Sequence, residues 1–278
     1  MVDSSPLDEL RYLLDTKPFS HEIHDFCSTT HNLDSFLSSF LRYKQNNVKN
    51  SMKMLQSYWS FRSEKIGNNR LSAADVRCPL LSKFLYIPDS TDVDGRQIVI
   101  IFFDRILEHR LSEAEILKTL WFFLENMMDM PVCQEKGICL ISIFGNSMSS
   151  RSKGLVELVF ESIQNKVPVK LGSVFLLNPP PWLRFFWAVS SNFMKSKLVR
   201  RVKLFSGDYQ AQLIELIGKE NLIKELGGDL QLDHDEWICA FYPDLNLDDI
   251  ARSGRILYST LSGSITSLVD SKVDIACQ

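Results

Sequence analysis

Several things are missing from this chain of 278 residues, and each absence removes a class of function. No run of about eighteen apolar residues exists, so no segment is expected to span a bilayer. The start of the chain is acidic and polar, and no secretory signal is visible there. None of the six cysteines (Cys27, Cys78, Cys133, Cys139, Cys239 and Cys277) lies in a CxxC pair or near a histidine at ligand spacing, which excludes a zinc site of the usual kind. No GxGxxG or GxxxxGK[ST] follows an expected strand, so the nucleotide-binding loops are absent. No GxSxG elbow is present, and no nucleophile sits beside a base and an orienting group. The net charge is −3, which weighs against a nucleic-acid binder. A cytoplasmic binding protein with reduced thiols and no cofactor or metal is the expectation that remains.

What is present is enough apolar residue, 45% of the chain, for a real core. Residues 32–43 and 48–62 read as two short helices with a turn at Asn46-Asn47, a helical hairpin. Phe36, Leu37, Phe40 and Leu41 face inward in the first; Met52, Leu55 and Trp59 do so in the second. Residues 1–31 are mixed and polar, with Pro6 and Pro18 interrupting any long helix. His21, His24 and His31 there read as surface histidines.

Residues 98–103 form an unbroken apolar run, as in strands buried on both faces. Residues 112–130 read as a helix, opened by the capping box Ser112–Glu115 and stopped by Pro131. Strand, helix and strand then follow at 138–144, 153–166 and 174–177. A last strand is expected at 201–205, and a helix at 213–226 ended by Gly227-Gly228. This alternation predicts an α/β domain with a largely parallel sheet. Residues 248–269 read as an amphipathic helix weakened by Gly254 and Gly263, packing back on the domain or docking on a partner. The acidic turn Asp233, His234, Asp235 and Glu236 reads as a solvated loop rather than a metal site.

The most unusual stretch is 178–205. Asn178 and the prolines after it are expected to open a helix. Trp182, Phe185, Val189 and Phe193 share one face of it, and Leu183, Trp187, Met194 and Leu198 share a second. A surface helix normally has one apolar stripe. Five cations then fall within nine residues: Lys195, Lys197, Arg200, Arg201 and Lys203. Two readings fit. One is a core helix followed by a solvated basic turn. The other is an apolar helix and basic segment that meet an anionic membrane.

Several segments, in order along the chain, resemble the CRAL-TRIO lipid-binding and lipid-transfer family. FLRYK at 40–44, NVKNSMKML at 47–55 and YWSFR at 58–62 are similar to its N-terminal helical motif. DGRQIVI at 94–100 looks like its first sheet strand. VPVKLGSVFLLNPP at 167–180 looks like the strand and entry to its gating helix, and ELGG at 225–228 like its closing Gly-Gly. The resemblance covers about 33–243. The PxWxR start and KxKxxxR end of the gate look most like the lipid-binding domain that precedes a cytosolic non-receptor tyrosine phosphatase, although no HCxxGxxR phosphatase loop is present.

The resemblance implies a CRAL-TRIO fold: an N-terminal helical subdomain (1–80), a lipid-binding lobe (81–243) with a mixed, largely parallel sheet and a hydrophobic lipid pocket, and a C-terminal helical tail (244–278). It implies a lid made by Trp182, Phe185, Phe186, Trp187, Val189, Phe193 and Met194. In the tocopherol-transfer branch phosphoinositide phosphates meet cations that fall here at Lys44, Lys170, Lys197 and Arg201; a further arginine of that branch falls at Gly172. A solvated basic face is the plainer reading of these four. Val169 replaces the glutamate used to hold phosphatidylinositol, and Gly137 and Cys139 stand where phosphatidylcholine binders place hydroxyls. The resemblance therefore points to an apolar lipid cargo, phosphoinositide membranes as partner and reversible membrane association. The rivals are a membrane-recruited adaptor that moves no lipid, and a hydrolase assembled from separate loops.

Overall fold

The computed structural model describes residues 5–28, 32–145, 148, 153–190, 199–233 and 236–238. Four helices open the chain: α1 (Pro6–Asp15), α2 (Ser20–Ser28), α3 (Leu33–Tyr43) and α4 (Val48–Lys65). Ser5 and Asp8 make a capping box at α1, and Pro6 occupies the first turn, where its missing N–H costs nothing. Asn32 and Asn47 cap α3 and α4 through their side-chain oxygens. The expected hairpin is α3–α4, turned at Gln45 and Asn46 with φ of 55° and 60°. The two prolines bound short helices instead of abolishing them. His24 pairs with Asp15 at 3.1 Å and His21 with Asp25 at 2.9 Å on the outside; His31 lies outside the described residues.

Phe26, Phe36, Phe40, Tyr58 and Trp59 interlock edge to face inside these helices, with centroids 5.2–5.8 Å apart. After α5 (Arg77–Leu81) come β1 (Leu85–Tyr86), β2 (Gln97–Phe102), α6 (Phe103–Glu108), α7 (Glu113–Asp129), α8 (Pro131–Glu135) and β3 (Ile138–Ile143). The chain continues through α9 (Lys153–Ile163), β4 (Leu171–Leu177), α10 (Pro181–Ser190), β5 (Val202–Phe205) and α11 (Gln210–Ile217). Ser112 and Glu115 cap α7 reciprocally, as their spacing requires.

The sheet order is β1-β2-β3-β4-β5, with β1 antiparallel and the rest parallel. Successive side chains point to opposite faces. Val99, Ile101, Leu140, Val174 and Leu176 join one apolar cluster, which also takes in the N-terminal helices, α7 and α9. Ile98, Ile100, Ile141, Phe175 and Leu177 join a second under α11. The two-sided burial explains why β2 reads as continuous apolar sequence.

The expected helix at 213–226 is shorter. It ends at Gly218, where φ is 91°, and Gly227, at φ 92°, closes a separate 3-10 turn, Lys224–Leu226. The tail at 248–269 lies outside the described residues.

Candidate lipid and membrane site

Asn178 does not serve as the expected helix cap. It ends β4 in the left-handed region, φ 52°, and its N–H bonds the Phe205 carbonyl at 2.9 Å. Pro181 then begins α10, and Arg184 Nε returns to the Pro179 carbonyl at 2.9 Å. The helix is anchored by Leu183, which is 5% exposed, and by the half-buried Trp182 packed on the first apolar cluster. Phe185, Phe186 and Val189 are 73%, 52% and 46% exposed. Trp187 is half-buried. The helix therefore has an inner edge that holds it to the lobe and an outer apolar patch with nothing over it among the described residues. Large exposed apolar groups at this density mark a contact surface. Phe193, Met194 and Lys197 lie outside the described residues.

An apolar cavity lies between the sheet and α7 and α9. Leu85, Val99, Ile101, Leu120, Phe123, Met127, Leu140 and Val169 are among its walls, and its volume is about 20 Å³. That is room for about one water, and the lining gives a water nothing to bond. The described residues of α10 contribute no wall to it. Val169, where a headgroup-binding glutamate would stand, faces this space. Cys139 turns to the other face of the sheet, in the cluster under α11. Burial pushes its thiol pKa up, and the nearby Asp92 adds to the rise.

Of the four carried-over cations, the described Lys44, Lys170 and Arg201 lie near the start of β5. Arg201 Nη1 donates to the Leu171 carbonyl at 3.1 Å, one residue from the exposed Lys170. Burial raises the pKa of Tyr43, and the charge of Arg201 acts against that rise, so the two are neighbours. Lys44, the C-cap of α3, places Nζ 4.9 Å from the Tyr43 ring centre.

Arg201 also borders a groove of about 370 Å³ on the α11 side, with Arg96, Arg200, Lys203, Asp92, Asp94, Ser173 and Phe175. Arg96 is fixed there by Asp92 at 3.1 Å, by Asp94 and by the Ser173 hydroxyl. It passes over Gly172, where an added Cβ would collide with its Cδ. The strand is bulged at that point, since Ile138 pairs with Leu171 but Cys139 pairs with Ser173. Arg96, Arg200 and Lys203 are absent from the sequence-derived set. Arg200 and Lys203 belong to the cation run. Arg96 was signalled only by the Asp-x-Asp-Gly-Arg turn, whose partner across the sheet no local pattern reveals.

Among the described residues no group of three or more His, Cys, Asp or Glu side chains is placed to hold a metal ion. No described helix is long and apolar enough to cross a membrane.

Comparison with known proteins places these features in a family context. The CRAL/TRIO domain profile matches residues 81–228. Clavesin-1 from Rattus norvegicus is 26% identical over 204 residues, 71% of this chain and 57% of that protein. Clavesin-2 from Homo sapiens is 26% identical over 202 residues, 70% of this chain and 62% of that protein. The matched stretch thus spans about three-fifths of these relatives. The crystal structure of Sfh5 superposes with a TM-score of 0.51 at 9% identity, covering 87% of this chain and 97% of that one. At that identity the likeness is one of fold.

Proposed function

Because the chain belongs to the CRAL/TRIO domain family, a family of lipid-binding and lipid-transfer proteins, we propose that it takes up an apolar lipid at a membrane surface carrying phosphoinositides. One observation carries this reading. The helix α10 is rooted by Leu183 and presents Phe185, Phe186 and Val189 outward, in the same stretch of chain as Arg200, Arg201 and Lys203. An apolar helix followed in sequence by a basic segment suits an anionic bilayer: the rings enter the interface and the cations meet the phosphates.

In this proposal α10 is the movable element. Trp182, Phe185, Phe186, Trp187 and Val189, with Phe193 and Met194 beyond them, leave the lobe when it meets the membrane. Lys44, Lys170, Lys197 and Arg201 hold the phosphate groups, and Arg96 stands in for the arginine lost at Gly172. Arginine forks suit phosphate oxygens. The protein is cytoplasmic and associates with membranes reversibly. The resemblance to the domain that precedes a tyrosine phosphatase rests on the sequence at 180–184 and 195–201 and concerns lipid contact alone.

A second reading, recruitment to membranes without lipid transfer, is supported by the small volume, about 20 Å³, of the cavity between the sheet and α7. A two-population vesicle assay separates the two. Donor vesicles carry a fluorescent lipid and phosphatidylinositol bisphosphate, and acceptors carry neither. Protein-dependent movement of the fluorophore supports transfer. Binding to donors with no movement favours the adaptor.

A further inference from the structure

An acyl chain cannot enter the cavity of about 20 Å³ between the sheet and α7, so its use as the lipid site, the reading on which this inference rests, requires a wall of that cavity to give way. The floor is the sheet, where β2, β3 and β4 are paired by hydrogen bonds along their length, with one bulge between β3 and β4. The helix α10 supplies none of the walls described above. Phe123 of α7 does, and one residue joins it to the end of β1. Trp237, in the short turn at 236–238, stacks on Phe123 with ring centres 5.8 Å apart and planes 21° apart. It also lies 5.9 Å from the Tyr86 ring. Its Nε1 donates to the Ile87 carbonyl at 2.8 Å, a bond joining positions 150 residues apart. Trp237 and Ile238 are both buried in the same cluster as the cavity walls.

We propose that Trp237 is a positioning residue that braces Phe123 and keeps the lipid cavity at its closed volume. With its ring stacked on Phe123, Trp237 restrains that side chain. Uptake of an acyl chain therefore requires the Trp237 ring to leave Phe123 and its N–H to leave the Ile87 carbonyl. The brace ties α7 to the end of β1 through the Phe123 stack and the Ile87 carbonyl.

The test uses the full chain labelled with fluorotryptophan, with the Trp237 signal assigned by its loss in Trp237→Phe. The protein is titrated with cis-parinaric acid, whose fluorescence reports binding. The expected result is that the Trp237 fluorine resonance shifts in step with binding. In parallel, Trp237→Ala takes up the probe about tenfold faster, the worth of one aromatic stack and one buried hydrogen bond. Trp237→Phe, which keeps the ring and loses the bond, falls between wild type and Trp237→Ala. Saturable binding with an unmoved Trp237 signal overturns the brace and leaves lipid binding standing. No binding by wild type or by Trp237→Ala overturns the lipid reading and the brace with it. If Trp237→Ala does not fold, the fluorine titration of the wild-type chain decides alone.

Discussion

The guanidinium of Arg62 lies 2.7 Å from the carboxylate of Glu125, with both side chains shut off from solvent. The pair joins α4 to α7, which walls the cavity. Arg62 also donates to the carbonyls of Asn69, at 2.9 Å, and Gly67, and the Tyr58 hydroxyl donates to Glu125 at 3.0 Å. Burial, reinforced by the Glu125 charge, holds the Tyr58 pKa well above its usual range, so that hydroxyl stays a donor.

Removing one member of this pair strands the other. Glu125→Ala is expected to destabilise the chain by about 3–5 kcal/mol, the usual consequence of an unpaired buried charge. Replacing both with apolar residues of similar size, Arg62→Met with Glu125→Leu, is expected to cost much less. Urea unfolding monitored by circular dichroism measures both. A Glu125→Ala loss no larger than that of the double variant would show that the pair does not act as a unit.

The two sides of α10 are expected to respond oppositely. Phe185→Asp and Phe186→Asp change exposed positions and should alter stability by no more than about 0.5 kcal/mol, while weakening flotation with anionic vesicles and lowering the amount of co-purified lipid. Leu183→Ala removes a buried anchor and should cost about 2–5 kcal/mol. Wild-type lipid levels in Phe185→Asp would count against α10 as the contact helix.

Charge at the β5 start is expected to set membrane affinity. Each basic residue near an anionic surface is worth about 1 kcal/mol, roughly fivefold. Lys203→Ala and Arg200→Ala should each weaken binding to phosphoinositide vesicles by about that factor. The difference should shrink as salt rises. Indifference of binding to both substitutions at low salt would remove the groove from the account.

The thiols give a pH-dependent check. Burial pushes Cys27 and Cys133 up to about 12. Their neutral forms are favoured in the folded chain, so the stability they contribute is complete below pH 9 and is lost as pH rises from 9 towards about 12. Cys27 and Cys133 should resist maleimide labelling at neutral pH until the chain unfolds, read by peptide mass mapping. Rapid labelling of either in the native state would contradict their burial.

Local pattern carried much of the fold and part of the site. The Ser112–Glu115 cap, the apolar run of β2 and the two faces of α10 are read directly, because each depends on residues within a few positions of one another. Helical spacing separates Leu183 from Phe185 and Val189, but with both faces apolar it does not say which turns outward, and Phe193, Met194 and Leu198 lie outside the described residues. Long-range relationships were not legible. Nothing near Arg62 names Glu125 as its partner, nothing near Trp237 names Ile87, and Gly172 gives no sign that Arg96 crosses it. The spacing predicts a helix over 213–226 because the apolar residues of the following turn continue its period, while Gly218 in its positive-φ conformation ends the helix at Ile217.

The claim at the centre is that this lobe opens to admit a lipid although the cavity between its sheet and α7 holds only about 20 Å³. Native mass spectrometry of the full chain, after incubation with phosphoinositide-containing vesicles and re-isolation, tests it most directly. The account predicts a second mass, heavier than the bare chain by one lipid molecule, that is depleted in Phe185→Asp. A single peak at the bare mass, from protein that demonstrably bound the vesicles, would contradict it.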